Sequence, residues 1–181
     1  MDSIEKARLL RGLALETECV EAAKAFSLLK DRSILDRVTE VMCGEAPART
    51  REMAAWLLGE LSPGTDSTIE GLHAVLNDPE ATEALRAQVI ESLGNQVSHL
   101  KGGETYERAA DALIALLDEP SVEIRYNVVF ALGALRCRRA RPMLERIASE
   151  DHRRYRGLET VSESARFSIE CINCEPHGRH G

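Results

Sequence analysis

Aromatic residues make up only 4% of these 181 residues: one Trp, three Tyr and three Phe. A sheet protein relies on aromatic and β-branched side chains to fill its pleated faces. Their shortage, beside abundant Ala and Leu, points to closely packed helices. No apolar run approaches the roughly 20 residues of a membrane span, and the opening MDSIEKARLLRGLALETE holds neither a long apolar stretch nor a small-residue cleavage site. A cytoplasmic location is the resulting expectation. There is no Walker-type phosphate loop and no G-x-S-x-G elbow. Asp and Glu are numerous, but no spacing isolates a pair in apolar surroundings, as general acid and base work requires. No catalytic residue and no cofactor are expected.

Cysteine is present as Cys19, Cys43, Cys137, Cys171 and Cys174, an odd and scattered set. Without an export signal these read as reduced thiols, most of them small core residues on helices. The run Cys171, Cys174, His177, His180 puts good zinc ligands three residues apart. A closed tetrahedral site normally has a longer loop between its ligand pairs. The expectation is therefore no metal, with Cys171 on the inner stripe of a last helix and residues 175–181 a flexible tail.

What is present is a recurring pattern, an Arg followed eight positions later by Gly: Arg51 to Gly59 (REMAAWLLG), Arg86 to Gly94 (RAQVIESLG) and Arg125 to Gly133 (RYNVVFALG). A motif returning after 35 and then 39 residues marks stacked helical units, none of which can hide its apolar face alone. Periodicity predicts a leading helix over 2–15, then helix pairs at 17–29 with 33–43, 48–61 with 66–76, 80–99 with 104–117, and 121–135 with 140–148. A final helix over 158–174 caps the stack. Ser33 is read as an N-cap. Pro63-Gly64, Asp78-Pro79, Gly102-Gly103 and Pro120 punctuate the units. The predicted class is all-α, a right-handed α-α superhelix of about four helix pairs plus terminal capping helices, with 1–174 as one domain.

These residues resemble the HEAT-repeat family, specifically the short bacterial HEAT-like repeats related to phycobilin lyases. The resemblance is most specific over PSVEIRYNVVFALGALRCRRARPMLERIASED, Pro120 to Asp151, weaker over 48–79 and 80–119, and rests on helix pairing alone before residue 47. It implies that the second helices of successive pairs line a concave side. The repeated glycines read as sites of close helix approach or tight turning. The repeated arginines read as scaffold, laying their stems along a neighbouring unit and bridging its carboxylates. Some HEAT enzymes bind iron through His-Glu dipeptides, and none occurs here.

The formal charge of -7 is uneven. Between Arg136 and Arg156 stand eight arginines against three acids, a local +5, leaving -12 for the rest. A basic stretch invites nucleic acid, but Asp36, Glu40, Glu70, Glu107 and Asp111 on the predicted second helices would repel a duplex. The preferred reading is a non-catalytic, monomeric adaptor, scaffold or inhibitor gripping a protein partner. Its candidate contacts are Arg37, Glu40, Glu70, His73, Glu107, Asp111, Glu145 and Arg146, with Arg138, Arg139 and Arg141 adding electrostatic steering. Second helices about 18 Å long and about 9 Å apart would present roughly 800 Å², one side of a standard interface. The alternatives are a bilin-lyase-like tetrapyrrole enzyme and a HEAT-like DNA-binding glycosylase.

Overall fold

In the computed structural model the described residues are 3–100, 102–157 and 159–174. Among them all regular structure is helical apart from one isolated antiparallel bridge between Arg154 and Thr160. The chain divides into two compact units, Met1–His99 and Leu100–Gly181.

The first unit holds α1 (Ser3–Leu13), α2 (Cys19–Leu29), a 3-10 turn (Arg32–Ile34), α3 (Leu35–Cys43), α4 (Ala48–Glu60), α5 (Asp66–Leu76) and α6 (Glu83–Val97). Here α4 packs against both α2 and α6, forming a layer of first helices, while α3 and α5 pack together as a second layer. The second unit holds α7 (Glu104–Ala115), α8 (Val122–Ala134), a 3-10 turn (Arg138–Ala140), α9 (Arg141–Glu150) and α10 (Val161–Asn173). In it α10 lies against α8 and α9. Sequence pairing had grouped each first helix with the second helix that follows it. Backbone packing is closest between α4 and α6 and between α8 and α10, and each second helix packs on the helix that follows it, as α3 with α4, α5 with α6, α7 with α8 and α9 with α10.

Local chemistry sets the boundaries. The Thr65 and Thr160 side chains accept from the backbone N–H three residues on, and the side chains of Thr68 and Glu163 return the bond to complete capping boxes. Thr82 and Ser121 cap α6 and α8 by accepting from Leu85 and Ile124, at 3.2 and 3.1 Å. The predicted start of α6 at Glu80 is displaced to Glu83, because Asp78 Oδ1 accepts from Glu80 N at 2.9 Å and holds a turn there. Ser33 is not the N-cap. Asp31 caps the preceding 3-10 turn, accepting from Ser33 N at 3.1 Å and Ser33 Oγ at 2.6 Å, and α3 starts at Leu35 after Ile34, which makes no side-chain cap. The predicted start of the last helix, Leu158, lies outside the described residues; α10 begins after the Thr160 cap.

At Gly59 and Gly133 the repeated glycine is where neighbouring helices touch. A Cβ on Gly59 would lie 2.9 Å from Ser92 Oγ of α6, and one on Gly133 would lie 2.5 Å from Ser168 Oγ and 2.8 Å from Ser168 Cα of α10. The same serines donate to the carbonyl four residues before each glycine, Ser92 to Ala55 at 2.7 Å and Ser168 to Val129 at 2.9 Å. A small residue, a buried hydroxyl and an i−4 carbonyl therefore form one device used in each unit. It brings the helices close while leaving no hydroxyl unsatisfied.

The repeated arginine closes a pair on itself. Arg51 of α4 donates to Met42 O at 2.8 Å and pairs at 3.6 Å with Asp78, just beyond α5. Arg125 of α8 pairs at 3.2 Å with Asp151, just beyond α9. For Arg51 and Arg125 the carboxylate comes from the arginine's own pair, not from the neighbouring unit as expected, because the end of the second helix returns beside the start of its first. Among the cysteines only Cys19 and Cys137 are buried; Cys43 and Cys174 are exposed, which corrects the expectation that most are core.

Candidate partner-binding faces

From α6 onward the helices differ in how much of their circumference is used, whereas in the first unit the second helix α5 buries seven of its eleven residues and the first helix α4 six of its thirteen. On α6 nine residues from Leu85 to Val97 are buried, and on α8 seven from Ile124 to Gly133. In contrast α7 buries only Ala109, Ala110 and Leu113, and α9 only Leu144 and Ile147. A helix with one narrow buried stripe leaves its remaining face to solvent.

In the first unit α3 and α5 are more deeply packed and keep a smaller exposed face; they are drawn together at Gly71, where a Cβ would lie 2.6 Å from Thr39 Cγ2. Arg37, Glu40 and Glu70 are exposed on that face, with Arg37 paired to Glu40 at 2.9 Å. His73 is not part of this surface. It is 7% exposed, because its position on α5 falls on the same inward stripe as Ile69, Leu72 and Leu76.

In the second unit Glu107, Asp111, Arg138, Arg139, Arg141, Glu145 and Arg146 are all exposed. Arg139 bridges two turns of α7, reaching Glu107 at 2.8 Å and Asp111 at 2.9 Å. Arg146 of α9 pairs with Asp118 at 2.7 Å, and Arg141 pairs with Glu145 at 2.8 Å while donating to Asn173 Oδ1 at 3.2 Å. These exposed pairs contribute little to stability and exchange partners readily. Of the eight arginines from 136 to 156, at least five (Arg139, Arg141, Arg146, Arg153 and Arg156) sit in ion pairs, so much of the basic stretch is met by neighbouring acids. Arg136 instead donates to Cys174 O at 3.2 Å, placing a cation at the negative end of the α10 dipole.

At the end of α9 an open cleft of about 740 Å³ is lined by Asp118, Arg125, Arg146, Ile147, Glu150, Asp151, His152 and Arg153. Its floor is Asp151, whose side chain is 6% exposed. This carboxylate accepts from Arg153 Nε at 2.8 Å and Nη2 at 2.7 Å, and from Arg153 N at 3.3 Å, besides pairing with Arg125. Arg153 also donates to Pro120 O at 3.0 Å, and Asp151 O accepts from Ser162 N at 2.8 Å, so one residue ties α8, α9 and the start of α10 together. The hydrogen bonds from Arg153 hold the Asp151 carboxyl below its ordinary range, with Arg125 adding to the effect. A depressed folded pKa means that its contribution is complete above the ordinary carboxylate range, about pH 4, and is lost as pH falls through the folded value. Thermal melting from pH 7 to pH 2 should show a loss below about pH 4 that Asp151→Asn makes shallower. An equally steep loss in that variant would remove Asp151 from this role.

Sequence reasoning missed Ser92, Ser168, Asp78 and Asp151 as partners of the repeated motif. A signal was available, since an Asp follows each second helix from α5 onward, at 78, 118 and 151. His177 and His180 of the Cys/His run lie outside the described residues; among the described ones no cluster of three or more His, Cys, Asp or Glu could hold a metal ion.

A family model for HEAT repeats matches residues 69–161, just over half of the chain. The chain belongs to the HEAT-repeat family. The matched span of this HEAT-repeat protein runs from α5 to the first residue of α10 and contains two of the three Arg-to-Gly motifs. A similar solved structure is the designed armadillo repeat protein YIII(Dq)4CqI, with 15% sequence identity, 95% of each chain covered and a TM-score of 0.41. No curated protein matches the chain. The HEAT fold is typical of protein-interaction scaffolds, and among the described residues no helix is long and apolar enough to cross a membrane.

Proposed function

We propose that this HEAT-repeat chain is a non-catalytic adaptor, scaffold or inhibitor that takes a protein partner on the exposed faces of its second helices, α3 and α5 in one unit and α7 and α9 in the other. In this reading residues 1–174 serve as one repeat domain, acting as a monomer in the cytoplasm. The supporting observation is that ten of the eleven candidate contact residues are exposed, on second helices or the turn before α9. The contrast is clearest for α7 and α9, which bury only narrow stripes, so their polar rows are free to vary without loss of fold. Mixed exposed charges such as Glu107, Asp111 and Arg139 suit steering and selectivity more than raw affinity.

Charge reversal tests this. Glu70→Lys should weaken partner capture by at least about tenfold, since an unfavourable juxtaposition at an interface costs more than the roughly 1.4 kcal/mol that tenfold represents. Melting should stay within about 2 °C of the parent, because Glu70 is on the surface. Quantitative pull-down from the native host with parent and variant as bait reads the effect. Equal recovery of the same partner by both would remove α5 from the binding face.

A further inference from the structure

The few aromatic residues of this chain are unevenly spent. Of the seven, four (Tyr126, Phe130, Tyr155 and Phe167) lie on or beside α8 and α10. Phe130 is 40% and Phe167 55% exposed, although a soluble helix layer gains nothing by leaving large rings in water. The two helices run side by side with Ser168 bonded to Val129 and packed on Gly133, which sets Phe130 level with Phe167 on adjacent helices. One turn earlier on α8, Tyr126 stacks on Tyr155 with centroids 4.2 Å apart and planes 16° from parallel, and its hydroxyl donates to Glu159.

The same region already holds one guanidinium, its own. Arg156 lies over the Tyr155 ring at 5.1 Å and pairs with Glu123 at 2.5 Å, so an aromatic face and a carboxylate act on it together. Along α10 the same two ingredients recur. Glu163, Phe167 and Glu170 are spaced i, i+4, i+7 on one exposed stripe, with Phe130 beside them. The acids Glu123, Glu159, Glu163 and Glu170 stand against the cations Arg154, Arg156 and Arg166 here, a local charge of -1 that disfavours a nucleic-acid strand.

We infer that the outer face of α8 and α10 is a second docking surface, separate from the second-helix faces, and that its occupant is an arginine-bearing basic segment of a protein partner. Its guanidinium would lie over Phe130 or Phe167 with Glu170 as counter-charge, in the arrangement Arg156 adopts on Tyr155 and Glu123. Planar guanidinium stacks on rings better than an ammonium does, so arginine is favoured over lysine.

The test is isothermal titration of the full chain with an eight-residue arginine peptide, an eight-residue lysine peptide and an eight-residue glutamate peptide. The parent should bind the arginine peptide more tightly than the lysine peptide and not bind the glutamate peptide. The double substitution Phe130→Leu and Phe167→Leu keeps apolar area and net charge, so nonspecific attraction to an acidic protein is unchanged. Its affinity for the arginine peptide should fall by about fivefold to thirtyfold, while affinity for the lysine peptide changes less. Glu170→Gln should weaken the arginine peptide by about threefold. Circular dichroism melting confirms that each variant is folded. No binding by the parent, or equal arginine-peptide affinity in parent and double variant, overturns the inference. Either result leaves the second-helix reading untouched, since Glu70→Lys does not alter this face.

Discussion

Gly133→Ala should destabilise the second unit by about 2 to 3 kcal/mol, the reverse of what alanine does in an ordinary helix. Helix propensity alone favours alanine over glycine by up to about 1 kcal/mol. Here the new methyl would sit 2.5, 2.7 and 2.8 Å from Ser168 Oγ, Cβ and Cα, and the last of these is backbone that cannot swing aside. Overpacking of this kind costs about 1 to 3 kcal/mol, and parting the helices also endangers the Ser168 to Val129 hydrogen bond, worth about 1 kcal/mol. Gly59→Ala should cost less, about 1 kcal/mol, since its nearest neighbour is the Ser92 hydroxyl at 2.9 Å and the Cα stands back at 3.2 Å. Urea unfolding of both variants gives the order directly. Adding Ser168→Gly to Gly133→Ala should return part of the loss, because it removes two of the three offending atoms. If Gly133→Ala is neutral or stabilising, the close approach of α8 and α10 is not what this glycine serves.

The second large effect is expected at Asp151. Asp151→Ala should cost about 3 kcal/mol, because it strands two guanidinium groups that now share one carboxylate, and removing a single partner of a buried pair leaves uncompensated charge. Arg125 is the more affected, with a side chain only 17% exposed, whereas Arg153 at 44% can turn to solvent. Loss at this scale shifts melting by about 6 to 12 °C for a chain of this size. The corresponding pair in the first unit is looser, Arg51 to Asp78 at 3.6 Å with Asp78 33% exposed, so Asp78→Ala should have a smaller effect. Amide exchange would locate the change. Faster exchange over α8 and α9 with α4 and α5 unaffected is the expected pattern, and a uniform change over both units would contradict the local role of Asp151.

Much of the architecture was readable from spacing. The Arg-to-Gly interval identified α4, α6 and α8 as equivalent helices, and the Pro, Gly and Asp punctuation placed their ends within a few residues. Two kinds of detail were not readable. The partners of the motif lie 26 to 35 residues away, on other helices or just past their ends, and periodicity within one helix carries no information about register between helices. Buried hydroxyls such as Ser168 look in sequence like surface polar residues, since their carbonyl partner appears only once helices pack. The same limit explains His73, which reads as polar on a second helix yet occupies the inward stripe of α5. Exposed aromatic residues posed the opposite difficulty. Tyr126 and Phe130 fall inside the repeated core motif, and only the burial pattern of α8 turns Phe130 outward.

Carboxylate labelling of the chain, alone and with the partner recovered in the pull-down, tests the proposed role of the second helices most directly. Protection of Glu40, Glu70, Glu107 and Asp111 is predicted, with the exposed Glu16 and Glu21 at the start of the first unit labelled equally in both states. Unchanged labelling of those four acids in the bound state would contradict partner binding on the second helices.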